Sequence, residues 1–146
     1  MTSTDSAAPA ETGTIAFDFD LRHPPEKVWR ALTDPVLLTQ WLLPVVDLQL
    51  EPGSTFTFTT QAHPGWDGTV NCRMLEIEPH RKLSYAWTVP SLNTVVTFTL
   101  TPTASGTRLS LVQSGFTPAQ KRESGGARFG WTRMGGQLVD LLARIP

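Results

Sequence analysis

From residue 55 to residue 111 the apolar side chains recur at every second position in one short segment after another, and near residue 131 the spacing changes to that of a helix. The alternating sets are Phe56 and Phe58; Val70, Cys72 and Met74; Leu83, Tyr85 and Trp87; Val96, Phe98 and Leu100; and Leu109 with Leu111. A period of two makes a strand with one apolar and one wet face. Turn formers separate the segments at Glu51-Pro52-Gly53-Ser54, His63-Pro64-Gly65, Glu78-Pro79-His80-Arg81, Pro90 to Asn93 and Ala104-Ser105-Gly106, which predicts an antiparallel meander. After Gly125-Gly126, Trp131, Met134, Gly135, Leu138, Leu141, Leu142 and Ile145 fall at helical spacing. That helix is the element long enough to cover the apolar face of the sheet.

The segment before the meander has its own punctuation. Residues 1–12 are mostly Ser, Thr, Ala and Pro with few apolar anchors, and read as a disordered lead-in; one ordered domain is expected over 13–146. Ile15, Phe17, Phe19 and Leu21 alternate with Ala16, Asp18 and Asp20 as a strand with an acidic outer face. Pro24-Pro25 ends it and starts a short helix over Glu26 to Leu32, with Glu26 four residues before Arg30. Asp34-Pro35 caps a second, whose stripe is Leu37, Leu38, Trp41 and Leu42. Val45 to Leu50 is a further candidate strand, and Thr117-Pro118-Ala119-Gln120 has the form of a capping box. The fold class is α+β: a sheet of six to seven antiparallel strands, two short helices after the first strand, and a long C-terminal helix.

Composition removes several function classes. Twelve basic and thirteen acidic side chains leave no basic stripe for nucleic acid. No apolar run reaches the roughly 18 residues of a membrane span. The start of the chain lacks a basic, then apolar, export leader, so a cytoplasmic location is expected, in keeping with a single cysteine, Cys72.

Five tryptophans, Trp29, Trp41, Trp66, Trp87 and Trp131, are more wide aromatic surface than a small core needs. Several indoles converging on one space line a cavity as readily as they fill one. The expected lining is Trp41, Phe56, Phe58, Cys72, Met74, Tyr85, Trp87, Phe98, Trp131, Met134 and Leu138, with Trp66 at the entrance and each residue alternatively plain core. Gly135 beside Gly136 costs a helix roughly 1 kcal/mol per residue, so Gly135 either leaves room for a ligand or lets the sheet approach. Gln113, Asn71, Tyr85 and Arg133 are candidates to orient a ligand. Cys72 reads as a small buried hydrophobe, since no cation is placed to lower its pKa. His23, His63 and His80 sit beside prolines or in turns without companions at ligand spacing, so no metal is expected. His63, Trp66 and Asp67 share a loop placed to border the cavity. The carboxylate pairs Asp18 with Asp20 and Glu76 with Glu78 are expected on the wet face.

The order of elements, together with His23-Pro24-Pro25-Glu26-Lys27-Val28-Trp29-Arg30-Ala31-Leu32-Thr33-Asp34-Pro35, Trp41-Leu42, Glu76-Ile77-Glu78-Pro79, Leu83-Ser84-Tyr85-Ala86-Trp87, Gly106-Thr107-Arg108-Leu109-Ser110-Leu111, Ser114-Gly115-Phe116 and Gly130-Trp131, resembles the START-like (SRPBCC) superfamily. Within it the chain is similar to the group related to the C-terminal domain of the Hsp90 ATPase activator. The resemblance implies a helix-grip fold, in which a curved sheet wraps a long helix around a cavity that holds hydrophobic molecules in many relatives. It implies no shared catalytic residues and no cofactor. Relatives often carry histidine where this chain has Gln113. Three functions stay open: binding of a hydrophobic or aromatic molecule without catalysis, a polyketide cyclase or aromatase activity, and an Hsp90-related accessory role in stress response with a protein partner. Monomer and homodimer are equally compatible.

Overall fold

The computed structural model describes residues 13–90 and 92–146; the expected lead-in, residues 1–12, lies outside the described residues. Strand β1 (Thr14–Leu21) is followed by helices α1 (Pro25–Thr33) and α2 (Pro35–Trp41). Strands β2 (Val45–Val46), β3 (Thr55–Thr59), β4 (Thr69–Glu78), β5 (Lys82–Val89), β6 (Leu92–Thr103) and β7 (Gly106–Ser114) come next, and helix α3 (Lys121–Arg144) ends the chain as given. One open sheet results, in the order β1-β7-β6-β5-β4-β3-β2, with every neighbouring pair antiparallel.

The alternation read from the sequence sets which side of the sheet is buried. Val70, Cys72 and Met74 are buried on β4, Leu83 and Tyr85 on β5, Val96, Phe98 and Leu100 on β6, and Leu109 and Leu111 on β7. Uninterrupted, the parity of β4 would aim Glu76 and Glu78 into the same core. A register shift between Met74 and Glu76 prevents this, turning Glu76 out to pair with Lys82 at 2.9 Å and bringing Ile77 against the core. The outer face of β1 is acidic as expected: Ser110 Oγ donates to Asp18 at 2.7 Å and Arg108 Nε to Asp20 at 3.1 Å.

Three boundaries differ from expectation. The strand sought over Val45 to Leu50 stops at Val46, because Asp47 adopts φ 63°, a left-handed conformation that breaks strand pairing. Strand β6 takes in Leu92 and Asn93, Val89 pairing with Leu92 across the hairpin. The capping box makes a turn ahead of α3 instead of its first turn: Thr117 N donates to Gln120 Oε1 at 2.8 Å and Gln120 N to Thr117 O at 2.9 Å, and the helix starts at Lys121. It then runs through Gly125-Gly126 for 24 residues without a break, about 36 Å at 1.5 Å per residue.

Helix α3 packs unevenly. Its buried residues are Trp131, Gly135, Leu138, Leu141 and Leu142, and residues 121–130 contribute none. At Gly135 the sheet comes so close that an added Cβ would lie 2.5 Å from Phe19 Cζ, so this glycine serves close approach and leaves no room for a ligand. The far end is clamped by α1: Lys27 Nζ donates to Leu142 O at 2.8 Å, placing a cation on the carbonyl end of the helix dipole, and lies 3.1 Å from His23 Nδ1. In turn α2 is tied to α1 by Trp41, whose Nε1 donates to Ala31 O at 2.8 Å while its ring meets Phe98 edge-on at 6.4 Å.

Two predictions follow from this packing. Gly136→Ala, whose new methyl meets nothing within 4 Å, should stabilise the protein by about 0.5–1 kcal/mol in chemical denaturation, and Gly135→Ala should destabilise it, because its methyl would lie 2.5 Å from the Phe19 ring, which must move. Burial, then the neighbouring Lys27 charge, lowers the pKa of His23 below its ordinary 6.5. A depressed histidine gives stability that is complete above the unfolded pKa and lost as pH falls through the folded one. The melting temperature should therefore decline below about pH 6.5, and His23→Gln should shallow that decline.

Candidate ligand-binding site

Where the first half of α3 stands away from the sheet, a cavity of about 410 Å³ remains. Its sheet wall is Val70 of β4, Trp87 and Val89 of β5, Leu92 of β6 and Gln113 of β7. Leu43, just past α2, Thr60, just past β3, and Trp66, from the loop before β4, form its side. Its helix wall is Glu123, Gly126, Ala127, Gly130, Trp131 and Met134, positions that share one helix face. Three of the six are glycine or alanine, and this is why the space is open. An added Cβ on Gly126 would touch nothing within 4 Å, and one on Gly130 would meet only Met134 Cε, at 3.7 Å. The volume lies within the range of small-molecule sites, roughly 300–1,000 Å³.

The aromatic walls are held by hydrogen bonds that fix their orientation. Trp66 Nε1 donates to Thr69 O at 2.9 Å, and the loop carrying it is closed by His63 and Trp66, which exchange backbone bonds of 2.9 Å each. Asp67 accepts from Thr69 N at 2.9 Å, a turn-stabilising role in place of acid/base chemistry. On the opposite wall a buried polar chain crosses from helix to sheet: Trp131 Nε1 donates to Gln113 Oε1 at 2.8 Å, Gln113 Nε2 to Thr94 Oγ1 at 2.9 Å, and Thr94 Oγ1 to Trp87 O at 2.8 Å. Gln113 and Thr94 are each 2% exposed. Because an indole N–H can only donate, it must face the amide oxygen, and the direction of every bond in the chain follows.

The structure divides the residues picked from the sequence. Trp66, Trp87, Gln113, Trp131 and Met134 line the cavity. Trp41, Phe56, Phe58, Cys72, Met74, Tyr85, Phe98 and Leu138 do not; they are packed core, Trp41 meeting Phe98 edge-on and the rings of β3, β5 and β6 packing against one another. Their rings form a layer behind the site, with Phe56 and Tyr85 centroids 5.2 Å apart, Phe58 and Trp87 5.4 Å, and Phe98 and Trp131 6.1 Å. Gly135 belongs to the contact with Phe19. Burial pushes the Cys72 thiol up to about 12, and burial followed by the neighbouring Cys72 raises the Tyr85 phenol well above its usual range. Asn71 is exposed beside a separate recess, and exposed Arg133 lines a hollow of about 370 Å³ that shares Leu43, Thr60, Gly130 and Met134 with the cavity under α3. Leu43, Thr60, Val70, Val89, Leu92, Glu123, Gly126, Ala127 and Gly130 were not anticipated; the legible signal was two glycines four apart, with an alanine between, ahead of Trp131 and Met134.

Among the described residues, no group of three or more His, Cys, Asp or Glu is placed to hold a metal ion, and no helix is long and apolar enough to cross a membrane.

The geometry has close parallels. A family model described as Activator of Hsp90 ATPase homolog 1-like protein matches residues 22–143. A crystal structure of a protein from Mesorhizobium loti is 41% identical, covers 91% of this chain and 98% of its own, and superposes with a TM-score of 0.84. One from Chromobacterium violaceum is 30% identical, over 89% of this chain and 97% of that one, with a TM-score of 0.74. A protein of the dynemicin biosynthetic locus shares the fold at 22% identity and a TM-score of 0.75, over 90% of this chain and 48% of its own. No curated protein matches the chain.

Two outcomes are expected of the site as built. Trp131→Phe leaves Gln113 Oε1 without its donor inside the protein and should cost about 1–3 kcal/mol in urea denaturation. Cys72, held as a neutral buried thiol, should resist a disulfide reagent at pH 8 in the native protein and react fully once the chain is unfolded.

Proposed function

The chain belongs to the Activator of Hsp90 ATPase homolog 1-like family, and from that premise we propose that it binds an apolar or aromatic small molecule in the cavity between the sheet and the first half of α3, without catalysis. The fold is of the ligand-binding kind. The observation that carries the reading is the cavity of about 410 Å³ walled by Trp66, Trp87, Trp131, Met134, Leu43, Val70, Val89 and Leu92. Burying an apolar ligand there removes hydrocarbon surface from water on both partners, worth roughly 25 cal/mol per Å² before the costs of association.

A cyclase or aromatase activity would need a buried acid or base against the substrate. Among the described lining residues the ionisable side chain is Glu123, exposed on the first turn of α3. Tyr85 lies behind the lining and Arg133 outside it, so the binding reading is preferred. An accessory role toward Hsp90 rests on the family's name alone.

Titrating the protein with a panel of flavonoid-like compounds and fluorescent fatty acids should give saturable quenching of tryptophan emission, with at least one Kd below about 100 µM, or −5.5 kcal/mol. Ala127→Phe, which puts a ring into the cavity, should weaken that ligand at least about tenfold with little change in stability. A panel without a saturable binder refutes the reading.

A further inference from the structure

We propose that the ligand carries a hydrogen-bond-accepting oxygen within its flat apolar body, and that Gln113 of the cavity wall reads it. This inference rests on the binding function above and narrows it to a chemical class: planar ketones, quinones and related oxygenated aromatics, as against plain hydrocarbons.

The argument is one of hydrogen accounting. The Gln113 side chain is 2% exposed and lines the cavity. Its amide oxygen takes the Trp131 indole hydrogen, and one amide hydrogen goes to Thr94 Oγ1, whose own hydrogen is committed to Trp87 O. An amide nitrogen carries two hydrogens. The second has no acceptor among the described residues, although the group is removed from water. Buried donors without acceptors are rare in folded proteins, and a carbonyl oxygen with one bond made tolerates its idle lone pair better. The Trp131 bond also prevents the amide from reversing to hide the hydrogen, since reversal would set two donors against each other.

The surrounding walls add the rest. Trp87 and Trp131 meet where the sheet and helix walls join, with ring centroids 5.7 Å apart and planes tilted by 53°, and the Trp66 indole N–H is already given to Thr69 O. Large apolar surfaces around one buried, fixed donor select a molecule that is greasy nearly everywhere and accepts a hydrogen bond at that point; the half-buried Trp87 indole N–H, which has no acceptor among the described residues, and the exposed Thr60 hydroxyl are further donors in the lining. Sites built around a buried polar group discriminate steeply against analogues that leave it unpaired.

The test uses fluorenone and fluorene, which share one planar frame and differ by a carbonyl in place of a methylene. Binding to the wild-type protein is followed by tryptophan quenching, and the Gln113 side-chain amide by nitrogen–proton correlation spectra. Fluorenone should bind at least about tenfold tighter than fluorene, and it alone should shift the Gln113 amide signal. Gln113→Leu should bring the ratio to about one; the spectral shift in the wild type stands independently if that variant fails to fold. Equal affinities with an unmoved Gln113 signal would overturn the inference while leaving an apolar binding site intact. If neither compound binds, and the wider panel fails as well, the binding function falls and the inference with it.

Discussion

The architecture depends on one long helix being pressed onto the sheet along half its length and held off along the other half. The pressed half is fixed by Leu138, Leu141 and Leu142 in the core, by the Phe19 ring at Gly135, and by Lys27 on the Leu142 carbonyl. The other half carries glycine or alanine at positions 126, 127 and 130, where larger side chains would fill the gap. Trp131 stands at the junction. Its indole is buried and bonded to Gln113, so the helix cannot rotate or slide without breaking a buried polar contact.

This arrangement resolves a tension in building a cavity inside a small domain. Interiors pack densely, and voids weaken the structure around them. Here the aromatic layer of Phe56, Phe58, Tyr85 and Phe98 is solid and bears the fold, and the open volume is set to one side, between that layer and a helix segment that buries none of its own residues. The packed layer and the open volume are thus supplied by different parts of one face.

Much of the fold was legible because periodicity is local. Alternation on β3 to β7, the prolines opening α1 and α2, and the helical stripe of α3 are each visible within about ten residues of sequence. What periodicity could not give is where packing is tight and where it is loose. Gly135 and Gly130 look alike in the sequence; one meets Phe19 at 2.5 Å and the other borders open space, a distinction made by partners more than a hundred residues distant for Gly135 and by their lack for Gly130. The same limit moved the expected lining to the center of the aromatic face, onto Phe56, Tyr85 and Phe98, when the cavity lies under the small residues of the helix. The bulge after Met74 was invisible too, and the outward placement of Glu76 depends on it.

The central claim is that a ligand-sized hollow lies against three of the five tryptophans and not the other two. The most direct measurement is a titration of the nitrogen-15-labelled protein with an apolar aromatic probe, following the five indole N–H signals. The account predicts that Trp66, Trp87 and Trp131 shift in a saturable way, while Trp41, bonded to Ala31 in the core, and Trp29, packed near His80 away from the cavity, stay fixed. Shifts centered on Trp41 or Trp29, or none at saturating probe, would contradict it.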